Sequence, residues 1–216
     1  ELDARHFALE ATHGANCLHG GQSGFHTRNW QLAKTGDTPH PFASFAFVSP
    51  DGDGGFPGRL EVTATYALTG TGELTLTYEA RTDRPTVVSM TNHAYFNLRG
   101  DGPILDHRIE VAADAYLPGD ADRLPTGEIR DVAGTPFDLR TPQRFADAVR
   151  GTHDEQIRSA RGYDHCFVLG RQAASQPRRA ARVEETGTGR TLELLTTDPG
   201  LQVYSGALLA PVEDGQ

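Results

Sequence analysis

Polar and apolar residues alternate in several short stretches of the chain, a pattern typical of strands with one buried face. In residues 60–68 apolar side chains occupy every second position, and the same alternation returns in residues 74–80. Between the two stretches, Thr69-Gly70-Thr71-Gly72 has the composition of a turn. The pattern therefore predicts a β-hairpin over residues 60–80.

Further strands are predicted where short apolar or β-branched runs end at turn residues. One of them, residues 42–49, ends at Pro50-Asp51-Gly52, and the others are residues 86–91, 108–112, 166–169, 181–184, 192–196 and 201–205. The one predicted helix covers residues 141–149 and opens on Thr141-Pro142, a cap followed by proline at the first helical position. Because 13 prolines and 24 glycines interrupt the apolar runs, we expect an all-β protein built as a large antiparallel sandwich.

Composition narrows the possible function classes. The 216 residues carry a formal net charge of −9, which argues against a nucleic-acid partner, because nucleic-acid surfaces need clustered basic residues. A basic cluster of Arg171, Arg178, Arg179 and Arg182 has no interleaved aromatic residues and is expected to form a solvated loop. No apolar run is long enough to span a membrane. We expect one domain over residues 1–216.

The two cysteines, Cys17 and Cys166, are too few for a disulfide-stabilised secreted scaffold. We therefore expect reduced thiols, with Cys166 in the core, and a cytoplasmic protein. Export stays open, because the native N-terminus lies before Glu1 if the chain is partial.

Metal chemistry is not predicted by the spacing of candidate ligands. No pair among His19, His93, His107, His165 and Asp164 has the helical or cysteine-rich spacing that makes a zinc site recognisable. The glycine-rich segment at Asp51 and Asp53 fails the calcium-loop pattern, because Phe56 stands where glycine is required. We interpret this segment as a turn, and His107 and His165 as structural residues at a strand edge or in a loop.

His93 is the main candidate for a catalytic residue in this sequence. The predicted strand over residues 86–91 would end just before it, in Met90-Thr91-Asn92-His93, and a site at a strand end is held firmly yet accessible. Histidine suits general acid and base catalysis because its side chain titrates near neutral pH. A single histidine is more often structural, so the neighbouring residues decide the interpretation.

Segments along the chain resemble the aldose 1-epimerase family, also called galactose mutarotases. The central match is Asn92-His93-Ala94-Tyr95-Phe96-Asn97-Leu98, similar to the family motif Asn-His-Ser/Thr-Tyr-Phe-Asn-Leu. The others, in the family's order, are Leu18-His19-Gly20-Gly21, the turn 51–58, Gly162-Tyr163-Asp164-His165 and the strand segment 196–204. The resemblance implies a β-sandwich of the galactose mutarotase type that interconverts hexose anomers without a metal or another cofactor.

The resemblance also implies a role for each matching residue. His93 corresponds to the general acid that protonates the ring oxygen of the sugar, and His19 to a second histidine that binds the substrate and supports that proton transfer. Asp164 and Gln202 correspond to residues that bind sugar hydroxyls, and Tyr95 is expected to line the same pocket. The implied partner is a monosaccharide, and neither the preferred hexose nor the oligomeric state is indicated.

This chain departs from the family pattern in ways that leave other functions open. Ala94, Cys166 and Ala207 replace residues that are common in the family. Glu1 follows directly after the expected Asn-Arg motif, and Gln216 precedes the segment expected to carry the glutamate general base. We therefore expect this chain to be part of the complete enzyme and inactive alone. A monosaccharide-binding protein without catalysis and a hexose-phosphate 1-epimerase are the alternatives.

Overall fold

The computed structural model describes residues 2–149, 153–207 and 209. The chain forms two compact units, residues 1–94 and residues 95–216. In both units the strands pair antiparallel with their neighbours, which confirms the predicted all-β class. The expectation of one domain over residues 1–216 stays a prediction.

The first unit contains one four-stranded sheet in which every strand pairs with the next along the chain. Its strands are β1 Gln31–Gly36, β2 Phe42–Ser49, β3 Leu60–Leu68 and β4 Leu74–Thr82. The predicted strand over residues 42–49 and the predicted β3–β4 hairpin are both correct. Leu60, Val62 and Ala64 of β3 are buried, so one face of this strand packs as the alternation requires.

Residues 86–91 do not form the predicted strand. They have no regular structure, and His93 consequently lies in irregular chain instead of at a strand end. Val87 and Val88 are 61% and 44% exposed. Strand-forming residues form a strand only when a partner strand and a packed face are present, and the ladders of the described residues include no partner for this segment.

The described residues of the second unit form two further four-stranded sheets. One has the strand order β11-β10-β5-β8 and the other has the order β12-β9-β6-β7. The strands are β5 Arg108–Val111, β6 Ala115–Leu117, β7 Arg130–Asp131, β8 Gln143–Arg144, β9 Asp164–Val168, β10 Arg178–Glu185, β11 Arg190–Thr196 and β12 Gly200–Tyr204. The predicted strands agree with β5, β9, β10, β11 and β12 apart from shifted ends, whereas β1 and β6–β8 were not predicted.

The core of the second unit is centred on Phe137, which is fully buried. Its ring stacks on Tyr116 of β6 at 3.9 Å between centroids and lies edge-on to Tyr163 at 5.7 Å. The Tyr163 hydroxyl donates to the carbonyl of Pro136 at 2.6 Å, so its polar end is satisfied inside the core. Residues from both sheets of this unit, including Val111 and Phe167, complete the cluster.

The helices differ from the prediction. The predicted helix over residues 141–149 begins only at Phe145, as α1 Phe145–Val149, because Gln143 and Arg144 pair with β5. A second helix, α2 Glu155–Ala160, was not predicted. It is capped by the Asp154 carboxylate, which accepts the backbone N–H groups of Gln156 and Ile157.

Several single-residue expectations also change. Arg178, Arg179 and Arg182 lie on strand β10 instead of in a loop, and Arg179 pairs with Glu110 at 3.1 Å. His165 lies within β9 and is buried, not in a loop. Both cysteines are free thiols. No helix in the described part of the chain is long and apolar enough to cross a membrane.

Candidate active site

His19 stands in a tight turn in the first unit. The backbone N–H of Gly21 donates to the carbonyl of Leu18 at 3.0 Å, and the two central residues, His19 and Gly20, have φ values of 52° and 87°. Positive φ at both central positions is typical of a type I′ turn, which Gly20 adopts at no cost. His19 adopts it against its preference, and such strain is characteristic of functional positions.

A network of hydrogen bonds holds the segment that follows this turn. The Glu10 carboxylate accepts the Ser23 backbone N–H and hydroxyl, each at 2.9 Å, and these bonds lower the pKa of Glu10. Arg28 donates to the Ser23 carbonyl at 3.2 Å and to Asp53 at 2.6 Å. The glycine-rich segment predicted as a turn therefore has a structural role, because Asp53 anchors the arginine that supports the His19 loop.

Gly24 packs directly under His19. A Cβ atom built on Gly24 would collide with the His19 carbonyl oxygen, although the φ of −56° at Gly24 suits any residue. We therefore expect Gly24→Ala to lower the free energy of unfolding by about 1–3 kcal/mol, the usual cost of an inserted methyl group. Thermal or urea unfolding of the full-length protein measures this loss.

Gly70→Ala is the matched control for this substitution. Gly70 has no atom within 4 Å of a built Cβ and no positive φ, so the alanine should leave stability unchanged or slightly raise it. An equal loss in both variants would show that close packing under His19 is not the reason for glycine at position 24.

His93 lies opposite His19 within the same unit. The two imidazole rings are 5.0 Å apart between centroids at 87°, an edge-to-face arrangement, and both side chains are exposed. The neighbouring Asn92 fixes the backbone, because its side-chain oxygen accepts the N–H of Ala94 at 3.0 Å. The Asn92 side chain is also near the hydroxyl of Tyr78 on β4, where it acts on the pKa of that group, so the His93 segment lies beside the sheet despite the absence of a strand.

In the second unit, Asp164 and Gln202 share one face of a sheet. Asp164 opens β9, and Gln202 lies on the neighbouring β12 opposite Cys166. Side chains alternate between the two faces of a strand, so His165 and Phe167 point into the core while Asp164 and Cys166 point away from it. Gln202 donates from Nε2 to Asp164 Oδ1 at 2.9 Å. Cys166 is consequently half-buried outside the core, against expectation.

Two tyrosines lie beside this pair. Tyr204 is opposite Asp164 in the β9–β12 register, and its ring is 5.8 Å from that of Tyr95. Partial burial and, to a lesser extent, the nearby Tyr204 and Asp164 raise the pKa of Tyr95. Tyr204 was not singled out in the sequence, although its spacing of two from Gln202 on a predicted strand indicates that the two share a face.

Hydrogen bonds at Asn97 and Leu98 hold the loop that follows Tyr95. The backbone N–H of Leu98 donates to Nε2 of His107 at 3.1 Å, and the Leu98 carbonyl accepts from Arg190 at 3.0 Å. The Asn97 side chain donates to the carbonyl of Gly102 at 2.8 Å. His107, buried just before β5, therefore holds the loop that carries Tyr95, in agreement with a structural role.

The predicted site residues thus form two groups. His19 and His93 are together in the first unit, and Tyr95, Asp164 and Gln202 are together in the second. The expectation that all of them meet in one cleft stays a prediction. Within the described residues, no three His, Cys, Asp or Glu side chains come together as metal ligands.

The chain is similar to known proteins over nearly all of its length. Residues 1–214 match the family model described as aldose 1-epimerase. The chain is 43% identical over 213 residues to a galactose mutarotase from Sus scrofa, which covers 96% of this chain and 58% of that protein. It is 40% identical over 210 residues to an aldose 1-epimerase from Escherichia coli K12, covering 96% and 59%.

A solved structure agrees with the sequence relatives. The galactose 1-epimerase from Lactobacillus acidophilus NCFM superposes with a TM-score of 0.82 at 32% identity, over 93% of this chain and 57% of that one. This likeness confirms the predicted fold type. The chain spans about 58% of the length of the Sus scrofa relative that it matches.

Proposed function

Because this chain belongs to the aldose 1-epimerase family, we propose that the protein is an isomerase that interconverts the α and β anomers of free hexoses such as galactose and glucose. The observation that carries the proposal is the pair of exposed imidazoles of His19 and His93, 5.0 Å apart. Imidazole both donates and accepts protons near neutral pH, as this reaction requires. The enzyme needs no cofactor, because proton transfer alone moves the hexose between its anomers.

The reaction opens and closes the sugar ring. A general base, for which the family resemblance implies a glutamate, removes the proton of the C1 hydroxyl, and the C1–O bond to the ring oxygen breaks as His93 protonates that oxygen. The product is the open-chain aldehyde. Rotation about the C1–C2 bond and ring closure, with both proton transfers reversed, give the other anomer.

His19 supports this transfer, and the residues of the second unit correspond to residues that bind sugar hydroxyls. His19 lies edge-to-face to His93, where it is placed to orient the acid and to hydrogen-bond the sugar. Asp164, with Gln202 donating to it at 2.9 Å, presents a carboxylate that accepts hydrogen bonds from sugar hydroxyls. Tyr95 and Tyr204 add aromatic surface next to these polar groups, a composition typical of small-molecule sites.

The scarcity of cysteines, both of them free thiols, supports a cytoplasmic location.

Polarimetry of the full-length protein tests the function. Freshly dissolved α-D-glucose and α-D-galactose are followed at low buffer concentration, where spontaneous anomerisation is slow. We expect the optical rotation to reach equilibrium at a rate proportional to protein concentration. An unaccelerated rate together with calorimetric binding of galactose would instead identify a sugar-binding protein. Acceleration confined to glucose 6-phosphate would identify a hexose-phosphate 1-epimerase.

A further inference from the structure

His165 follows Asp164 directly and points to the opposite face of β9. Its side chain is only 5% exposed and packs edge-on against Phe137, with ring centroids 4.6 Å apart. The imidazole nevertheless contacts Asp164, because its Nδ1 atom accepts the backbone N–H of Asp164 at 3.1 Å. The candidate sugar-binding carboxylate is thus attached to a backbone unit that a buried ring holds.

This contact determines which nitrogen of His165 carries the proton. A backbone N–H only donates, so Nδ1 must be unprotonated, and in a neutral imidazole the proton is then on Nε2. Nε2 lies 3.3 Å from the side-chain oxygen Oε1 of Gln156, so it donates to that oxygen. Burial also lowers the pKa of His165, which favours the same neutral form.

Gln156 connects this ring to a separate turn of the second unit. Its Oε1 atom accepts the backbone N–H of Gly119 at 2.7 Å, and its Nε2 atom donates to the Gly119 carbonyl at 3.0 Å. The amide therefore makes a two-point contact that fixes its own orientation. Helix α2, capped by Asp154, in turn carries Gln156. Each polar atom along this path has a defined partner, which a site with exact geometry requires.

His165 and Gln202 hold different parts of Asp164. Gln202 fixes the carboxylate through Oδ1, and His165 fixes the peptide from which that side chain projects. Without Nδ1 of His165 the backbone N–H of Asp164 would lose its hydrogen-bond acceptor. To reach another acceptor, the end of strand β9 would have to move. A displacement of the carboxylate by a fraction of an ångström weakens hydrogen bonds to a bound sugar.

We propose that His165, together with Gln156, is a positioning residue for Asp164 in sugar binding. The inference rests on the proposed function, because Asp164 affects turnover only if it binds the substrate. His165 acts through Asp164 and does not touch the sugar. Its effect should therefore appear in KM far more than in kcat, and only in a protein that retains the Asp164 carboxylate.

The experiment is a double-mutant cycle on the full-length protein, with kcat and KM for galactose measured by polarimetry. We expect His165→Phe, which keeps a ring of similar size, to raise KM about tenfold with kcat changed by less than about threefold. In an Asp164→Ala background the same substitution should change KM by less than about twofold, because the group that it positions is gone.

Two further variants keep the test decisive. His165→Asn retains a side-chain oxygen close to the place of Nδ1, so we expect its KM to return to within about threefold of the parent. If His165→Phe does not fold, Gln156→Ala, at a half-buried helix position, should raise KM about threefold, again only when Asp164 is present.

The outcomes separate this inference from the function on which it rests. An equal increase in KM with and without the Asp164 carboxylate, or an unchanged KM in His165→Phe while Asp164→Ala raises it, would overturn the positioning role alone. An unchanged KM in Asp164→Ala itself would overturn the binding role of Asp164 and this inference with it. Unaccelerated mutarotation by the unsubstituted protein would overturn the proposed function.

Discussion

His93→Asn in the full-length protein should lower kcat for galactose mutarotation by about two to four powers of ten, the usual contribution of a general acid or base. Asparagine retains a polar side chain of similar shape but cannot deliver a proton to the ring oxygen. Sugar binding should change little, because Asp164 and Gln202 lie outside the segment that holds His93 and keep their 2.9 Å contact. Polarimetry over a range of galactose concentrations gives kcat and KM separately.

The fold should tolerate this substitution, since His93 is exposed and its backbone is fixed by Asn92. His40→Asn is the matched control: it makes the same replacement at another exposed position of the first unit, and we expect no change in kcat. A His93→Asn protein that turns over galactose at the parent rate would remove His93 from the mechanism.

The strands that could be predicted are those determined by the order of apolar and polar residues within a short stretch of sequence. Strands β3 and β4 follow directly from a period of two and from the turn at residues 69–72, since a hairpin joins neighbours in the sequence. Strand β2 follows from a short apolar run that ends at turn residues. Residues 86–91 have the same strand-forming composition, yet they form no strand. Strand β8 has no strand-like sequence and exists only because Gln143 and Arg144 meet β5. Such non-local pairing leaves no trace in a short window of sequence.

The candidate site, like the fold, could be predicted only in part from the sequence. Motif resemblance identified His19, His93, Asp164 and Gln202, and the structure places the first two together and the last two together. It did not identify what holds them. The left-handed turn at His19, the Glu10–Ser23 bonds and the burial of His165 depend on contacts between distant parts of each unit. Among the neighbouring residues that were missed, Tyr204 could have been predicted, because its spacing of two from Gln202 on a predicted strand puts both on one face.

Asp164→Ala should raise KM for galactose about ten- to hundredfold. A hydrogen bond to a charged group contributes roughly 1.5–3 kcal/mol, and each 1.4 kcal/mol corresponds to about a factor of ten in affinity. The substitution also frees the Gln202 amide, whose Nε2 atom donates to this carboxylate. Asp164 is half-buried at the start of β9, so alanine leaves the ladder intact and the loss should be confined to binding.

The matched control is Glu193→Ala, which removes an exposed carboxylate from β11 of the same unit and should leave KM unchanged. Asp164→Asn separates charge from shape: an amide in the same place keeps an acceptor oxygen for a hydroxyl but loses the charge, so its KM should fall between those of the parent and the alanine variant. If Asp164→Asn matches the parent, the carboxylate charge has no part in binding. If Asp164→Ala and Glu193→Ala behave alike, the sugar hydroxyls are bound elsewhere.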